Sequence, residues 1–437
     1  MKRVSILGLG YIGLPTAIIA AEAGYSVFGF DVDKVKVDKI NAGNPPILEN
    51  ELKDRLAKSL RKNYFKISTN LEYADCFVIT VPTPFKDHNK ADLKYVFKAA
   101  EYIAERLMPG NLIILESTVP VGTTEKFALF IEEISGLKVN EDFFVAHCPE
   151  RGIPGHLFKE LIDNDRVIGG LNQKACNLAY LFYSRFVKGF LHITDDKTAE
   201  MVKLVENSSR DVQIAFANQV AAMCQATGID PYHVIELANK HPRVNILSPA
   251  CGVGGHCVAV DPWFLVESFP EHTQLLQVAR AVNDEKPYKI VEEALLKVEE
   301  LRDHGLERPK VLALGLAFKP NVDDMRESPA LKIVQELMMK ADRIDLIAYD
   351  PYVKKEDIQK AGIREISDFH KELRSADIVL ILVKHDKFLV IPEEILSSKV
   401  IIDTCGILHD IQKRTSKSIL GGVIRTKATS IFENITF

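Results

Sequence analysis

The hexapeptide Gly8-Leu9-Gly10-Tyr11-Ile12-Gly13 does most to limit the folds open to this chain, because of where it stands. It follows the apolar, strand-like run Val4–Gly8 and opens a helical pattern, the arrangement of the first βα turn of a doubly wound sheet. Backbone amides at such a helix N-terminus hold a pyrophosphate. Asp31, at the end of the next strand-like run, is placed to accept hydrogen bonds from ribose hydroxyls and to repel a 2′-phosphate. Gly8, Gly10, Gly13 and Asp31 therefore point to NAD rather than NADP. The alternative is a tight strand-to-helix turn that binds nothing.

The rest of the chain extends that pattern. Ser26–Asp31, Cys76–Val81, Leu112–Glu116 and Phe144–His147 read as strands, with helical spacing over Lys94–Leu107 and Thr124–Ile134, as in βαβ units of a parallel sheet. Lys197 to Thr227 is one long helical pattern without Pro or Gly, closed by Gly228 as a C-cap. After Pro309 a second alternating block follows, with strands at Val311–Leu314, Ile344–Tyr349, Ile378–Val383 and Val400–Asp403. The fold expected is α/β: two Rossmann-like domains with parallel sheets, joined by a central helical domain that contains a long spine helix. The divisions fall at 1–195, 196–301 and 302–437, in keeping with a 437-residue chain that exceeds one hydrophobic core.

A net charge of -5 gives no general attraction for nucleic acid or an anionic membrane. Lys2-Arg3 before an uncharged run to Ala21 resembles a signal peptide, but the glycines and Pro15 interrupt it in the manner of strand, turn and helix. The seven cysteines are scattered, without a C-x-x-C pair, which fits reduced thiols in a cytoplasm. Zinc ligation by Cys251, His256, Cys257 and the His147-Cys148 pair matches no structural zinc spacing, and no metal is expected.

One of those thiols stands in a loop suited to chemistry. Cys251 to Pro262 is glycine-rich and holds Cys257 and Asp261 four residues apart. Glycines there admit positive φ and let backbone approach a ligand, and a thiolate is a strong nucleophile toward carbonyl carbon. His256 is a candidate for lowering the thiol pKa, and a buried structural thiol is the alternative for Cys257. On the long helix, Lys203, Asn207 and Arg210 stand at i, i+4 and i+7 and share one face, fit for an oxyanion or a phosphate; a solvated face is the alternative. Glu150 and Arg151 follow a strand end, where α/β sheets meet ligands, with a plain salt bridge as the other reading. Lys319 and Arg326 put positive charge beside Gly315-Leu316, which suits a second phosphate-bearing ligand.

Taken together, GLGYIGLP (8–15), VPTPF (81–85), ESTVPVGTTE (116–125), CPER (148–151), AEMVKLVEN (199–207), GVGGHCVAVDP (252–262) and GLAFKPNVDDMRESP (315–329) resemble the UDP-glucose/GDP-mannose dehydrogenases. These are NAD-dependent enzymes that oxidise a sugar C6 alcohol to a carboxylate. HPRVNI (241–246) before GGHCVAVDPWF (254–264) is most similar to members acting on UDP-N-acetyl-D-mannosamine, with UDP-N-acetylglucosamine and UDP-glucose as alternative sugars. The resemblance implies that Tyr11, Ile12, Asp31, Thr83, Thr118 and Arg326 contact NAD. It implies that Arg151, Lys203, Asn207, Arg210, His241, Arg243, Gly254, Phe318 and Lys319 line the site of a UDP-N-acetylhexosamine. His241 and Arg243 would reach a neighbouring subunit's sugar, hence a homodimer or a larger assembly built on dimers. The three divisions become an NAD-binding, a dimerisation and catalytic, and a UDP-sugar-binding domain.

Three departures from the family pattern stand out. Pro249-Ala250-Cys251-Gly252 replaces Pro-Gly-Pro-Gly, Cys405 replaces a lysine that would contact substrate, and Gly152 replaces a bulkier aliphatic residue and should loosen its loop. The mechanism expected is two hydride transfers. Asp261 acting through water, assisted by Lys203, serves as base, and Glu150 joins the catalytic group. Cys257 traps the aldehyde, while Lys203 and Asn207 stabilise oxyanions. Two other classes compete: a two-electron hydroxy-acid dehydrogenase, which needs no cysteine, and a catalytically silent nucleotide-sugar-binding protein.

Overall fold

Strands buried on both faces need apolar residues at every position, and the chain supplies such runs twice. The computed structural model describes residues 1–414 except Leu48, Asn63, Asp87, His88, Pro154, His256, Ala341, Glu365 and Ser367. In the first run of strands are β1 (Arg3–Leu7), β2 (Ser26–Phe30), β3 (Phe65–Ser68) and β4 (Cys76–Ile79), then the short antiparallel pair β5 (Phe85–Lys86) and β6 (Lys90–Ala91). They are followed by β7 (Leu112–Leu115), β8 (Phe144–His147), β9 (Arg166–Gly170) and β10 (Leu191–Asp195). Among the described residues all of these but β5 and β6 form an eight-stranded sheet in the order β10-β9-β8-β7-β4-β1-β2-β3. A second sheet joins β11 (Lys310–Leu314), β12 (Asp345–Tyr349), β13 (Ile378–Ile381) and β14 (Val400–Asp403) in the order β12-β11-β13-β14, parallel throughout.

Alternation along each strand divides the cores. Ile6, Val78, Leu112 and Ile114 face one layer of helices while Leu7, Phe77, Ile79, Ile113 and Leu115 face the other, all fully buried. In the second sheet Val311, Ala313, Ile378 and Leu380 lie on one side, and Leu312, Leu314, Val379 and Ile381 on the other. The expected α/β architecture with its two Rossmann-like sheets is thus present.

Three strands of the eight-stranded sheet escape the sequence reading, β3, β9 and β10, as does the short pair β5 and β6. β9 (RVIGG) ends in two glycines, and β10 is an edge strand whose side chains are largely exposed, so neither shows a buried apolar run. β9 pairs antiparallel with β8, Ala146 opposite Gly170 and His147 opposite Gly169, while the other described pairings of this sheet are parallel. Close packing dictates those glycines: a Cβ on Gly169 would stand 2.5 Å from the Asp195 carbonyl oxygen, and one on Gly170 would stand 2.7 Å from the Cys176 amide.

The spine helix runs over Asp196–Thr227. Asp195 accepts from the Thr198 amide at 2.9 Å at its start; Gly228, with φ +70°, ends it, and the Ile229 amide returns to the Cys224 carbonyl at 2.9 Å. The chain forms two compact units, one of Met1–Ser209 with Val260–Gln274, the other of Arg210–Ala259 with the residues from Leu275 onward. Among the described residues no helix is long and apolar enough to cross a membrane.

The first βα turn is as tight as its glycines allow. A Cβ on Gly13 would lie 1.8 Å from the Gly8 carbonyl oxygen and 2.3 Å from Thr80 Oγ1, whereas nothing stands within 4 Å of a Cβ on Gly10. Gly13→Ala should therefore cost about 1–3 kcal/mol in urea unfolding, and Gly10→Ala less than about 0.5 kcal/mol. Equal stabilities for the two variants would show that the turn is looser than this.

Candidate active site

In the first unit, ligand-facing loops gather at the carboxyl ends of β1, β4 and β7. The sheet order reverses between β1 and β4, the position where open α/β sheets take ligands. Gly8 has φ +93°, and Thr80 Oγ1 donates to its carbonyl at 2.8 Å, fixing the turn across that reversal. Gly10 faces open space, Tyr11 and Ile12 pack partly on the core, and Ile12 opens the helix Gly13–Glu22. Thr83 and Thr118 are half-buried, in the loops that follow β4 and β7. Asp31 is 5% exposed and accepts from the Leu9 amide at 2.9 Å and the Asp33 amide at 3.0 Å. An open backbone at Gly10 and a fixed carboxylate after β2 fit a dinucleotide.

A second cluster in the same unit joins three separate segments. β8 leads through Cys148-Pro149 to Glu150, the spine helix carries Lys203 and Asn207, and Asp261 opens the helix Asp261–Ser268. Lys203 Nζ donates to the Glu150 carbonyl at 2.7 Å and lies 3.2 Å from Glu150 Oε1; both side chains are almost wholly buried. The other carboxylate oxygen of Glu150 accepts from the Gly152 amide at 2.6 Å. Glu150 thereby holds Lys203. Asn207 Nδ2 donates to Asp261 Oδ2 at 2.5 Å. Burial pushes the Asp261 carboxyl up to about 7, against the lowering influence of the Lys203 charge and the Asn207 hydrogen bond. Beside them, burial holds the imidazole of His147 down at about 3, so it adds no second positive charge.

Arg151 forms a two-point ion pair with Glu206 of the spine helix and donates to the Asp165 carbonyl at 3.2 Å. Its loop is not loosened by Gly152. The amides of Gly152, Ile153, Gly155 and Leu157 donate to carboxylates of Glu150, Glu160 and Glu49, at 2.6 to 3.0 Å. A Cβ on Gly152 would press on Leu157 Cδ2 at 2.8 Å, so the glycine admits close packing.

In the second unit the glycine-rich loop packs on its own fold. Gly252 and Gly255 have φ +142° and +81°. A Cβ on Gly254 would meet the Glu327 carbonyl oxygen at 2.4 Å, and one on Gly255 would meet the Phe318 ring at 2.9 Å. The glycines therefore serve contact with the Phe318–Pro329 segment, a need the sequence does not announce. Cys257 is exposed, and the other six cysteines are buried. Burial pushes the Cys251 thiol up to about 12, which leaves it inert beside its neighbour in sequence. Cys405 lies in an apolar cluster and supplies no cation where a lysine was expected. Arg210, His241 and Arg243 are exposed, and the Arg243 amide donates to His241 Nδ1 at 3.3 Å. Arg326 pairs with Asp324 at 2.6 Å. His256, the proposed neighbour of the thiol, lies outside the described residues.

Sequence reasoning overlooked Lys36, Thr80 and Glu206. Lys36 Nζ lies 2.7 Å from Asp31 Oδ2, on the first turn of the helix Lys34–Asn41. Its signal was its place one turn beyond a strand-end aspartate. Glu206, next to Asn207, is the acid that occupies Arg151.

Comparison with known proteins places these features. Models of the UDP-glucose/GDP-mannose dehydrogenase family match along the chain, the NAD-binding domain over residues 2–187, the central domain over 197–285 and the UDP-binding domain over 312–410. A UDP-N-acetyl-D-mannosamine dehydrogenase of Campylobacter jejuni is 44% identical over 92% of this chain and 98% of its own length. An NDP-N-acetyl-D-galactosaminuronic acid dehydrogenase of Ralstonia nicotianae is 42% identical over 93% of this chain and 96% of its own. The structure of a UDP-D-ManNAc dehydrogenase from Pyrococcus horikoshii superposes with a TM-score of 0.85 at 41% identity, over 93% of this chain and 96% of that one. With a dinucleotide turn at Gly8–Gly13 and family matches across its NAD-binding, central and UDP-binding regions, this chain belongs to the UDP-glucose/GDP-mannose dehydrogenase family of NAD-dependent nucleotide-sugar dehydrogenases.

Proposed function

We propose that this enzyme oxidises the C6 hydroxyl of a UDP-N-acetylhexosamine, UDP-N-acetyl-D-mannosamine before the others, to the uronate in two steps through Cys257. The observation that carries this reading is the buried Lys203–Glu150 and Asn207–Asp261 cluster, in a chain whose single exposed thiol stands four residues before Asp261. The names of the Campylobacter and Pyrococcus relatives support the sugar. The residues 1–195, 196–301 and 302–437 divide the work among NAD binding, catalysis with dimerisation, and UDP-sugar binding. The uronate product, made in the cytoplasm, suits surface polysaccharide synthesis.

Bound NAD supplies the hydride acceptor for each step. Asp261, ionised, takes the C6 hydroxyl proton through a water while Lys203 steadies the oxygen, and C6 gives up its first hydride to become an aldehyde. Cys257 Sγ then bonds to the aldehyde carbon, and its proton leaves to solvent as the oxygen gains one, giving a thiohemiacetal. Loss of the second hydride and the hydroxyl proton leaves a thioester. Water adds to its carbonyl carbon, the C–S bond breaks, and the carboxylate departs with the thiol restored. Lys203 and Asn207 donate to the oxyanions, an effect of about 3–4 kcal/mol for a preorganised donor. Arg151, Arg210, Gly254, Phe318 and Lys319 hold the UDP-sugar, and Thr83, Thr118 and Arg326 contact NAD.

The yield of NADH per mole of sugar tests both chemistry and substrate. UDP-N-acetylmannosamine should give two, ahead of UDP-N-acetylglucosamine, UDP-N-acetylgalactosamine and UDP-glucose. Cys257→Ser should stop after the first oxidation or at a slowly cleaved ester. Full conversion to uronate by that variant removes Cys257 from the reaction.

A carboxyl lifted from 3.8 to about 7 must lose its proton to act as a base. The kcat/KM of the wild type should therefore rise with pH through about 7 and level off above it. Asp261→Asn should lower the plateau and abolish that limb; a limb left in place assigns it to another group.

Assembly as a dimer is supported by Phe216 and Met223, one heptad apart on the spine helix and 54% and 60% exposed. Light scattering should give twice the 48.9 kDa chain mass or a multiple of it, and a shift toward monomer for Phe216→Glu with Met223→Glu. A monomeric wild type rules the assembly out.

A further inference from the structure

The second sheet carries an aspartate in the same place as Asp31, but the structure uses it otherwise. Asp350 follows β12 as Asp31 follows β2, and it is 4% exposed. Its Oδ2 accepts from the amides of Leu316 at 2.7 Å and Ala317 at 3.0 Å, and its Oδ1 from those of Tyr352 at 2.9 Å and Val353 at 3.1 Å. A fifth partner, His385, is wholly buried and places Nε2 3.0 Å from Asp350 Oδ2.

His385 reaches the other end of the same loop. Its Nδ1 accepts from the Asn321 amide at 2.9 Å, so Nδ1 carries the lone pair and Nε2 carries the proton that faces Asp350. Asn321, at φ +61°, is fixed again by Asp386: its Nδ2 donates to Asp386 Oδ2 and its Oδ1 accepts from the Asp386 amide, both at 3.0 Å. Residues 316, 317 and 321 are thus anchored to one buried aspartate–histidine pair. Phe318, Lys319 and Pro320 span the gap between fixed ends, with the Phe318 ring pressed on Gly255.

We propose that the Asp350–His385 pair is a positioning device for nucleotide-sugar binding, holding the loop in the conformation in which Phe318 and Lys319 take the UDP moiety. It rests on the reading that these two residues line the UDP-sugar site. Five donors on two oxygens also leave Asp350 no room for a ribose diol, which turns the acid of a nucleotide turn into a loop anchor. Asp350 and His385 touch no substrate; they act through the backbone of 316–321.

The test uses the full-length protein with UDP as probe, titrated calorimetrically, and NADH binding followed by fluorescence. His385→Leu leaves the Asn321 amide and part of Asp350 without partners and should weaken UDP about tenfold or more, with NADH affinity changed less than about twofold. His385→Asn, whose Oδ1 stands where Nδ1 stood, should recover most of the loss. His385→Gln, which restores only the donor to Asp350, should recover less. Amides of 316–321 should exchange hydrogen faster in His385→Leu. Wild-type UDP affinity or unchanged exchange in a folded His385→Leu overturns the proposal, and so do parallel losses of UDP and NADH affinity. If His385→Leu does not fold, the order of Asn over Gln decides, and equal or reversed affinities overturn it. Lys319→Ala separates the two ideas: wild-type UDP binding there sinks the reading of the loop, while the exchange of 316–321 still judges the anchor.

Discussion

Backbone amides left unpaired where parallel strands end are the constraint on which both ligand-binding ends of this molecule depend. A strand that stops pairing releases N–H groups that must find acceptors, and buried ones find carboxylates. Asp31 takes Leu9, Glu200 takes Gly122 and Thr124, Asp350 takes Leu316 and Ala317, and Asp403 takes Cys405, Gly406 and Leu408. Each carboxylate freezes a loop that follows a strand, and each of those loops lies at the carboxyl end of its sheet. Backbone donors of the kind that bind phosphates are thus satisfied by the protein at these loops, whereas at Gly10 nothing stands within 4 Å of a Cβ position.

That division explains how one supersecondary pattern serves two ends. Around Asp31 the acid accepts two backbone amides and the partly exposed amine of Lys36. Around Asp350 every partner belongs to a backbone or to a fully buried ring. Similar strand-end sequences, Phe30-Asp31 and Tyr349-Asp350, therefore have different fates, and the difference lies in His385, thirty-five residues farther along the chain. No local reading of the motif contains it.

What was legible followed from periodicity and local chemistry. Cys76–Ile79 and Leu112–Leu115 are apolar throughout because both faces are buried, and the spine helix is closed by Gly228, a residue whose capping geometry is intrinsic. The tight turn at Gly8 and Gly13 was readable for the same reason. The antiparallel return of β9, the role of Gly254 and Gly255 in seating Phe318, and the ties that stiffen the loop after Glu150 were not. Each is decided by a partner far away in sequence, and no spacing of residue types records the partner. The face shared by Lys203, Asn207 and Arg210 stood midway: the helix made it visible, but only the structure shows that Glu150 and Asp261 cover Lys203 and Asn207 while Arg210 stays exposed.

Burial also determines which member of that cluster can move a proton. Lys203 brings one positive charge and Glu150, bonded to it and to the Gly152 amide, brings the matching negative one. A second carboxylate in the same dry place has no cation of its own, and full burial raises a carboxyl by up to 3–5 units. The rise of Asp261 to about 7 stays at the lower end of that range because Lys203 and the Asn207 amide still favour its ionised form. Glu150, saturated by its partners, is thereby a holder of Lys203. Asp261 is left as the member of the cluster whose carboxyl burial lifts to about 7.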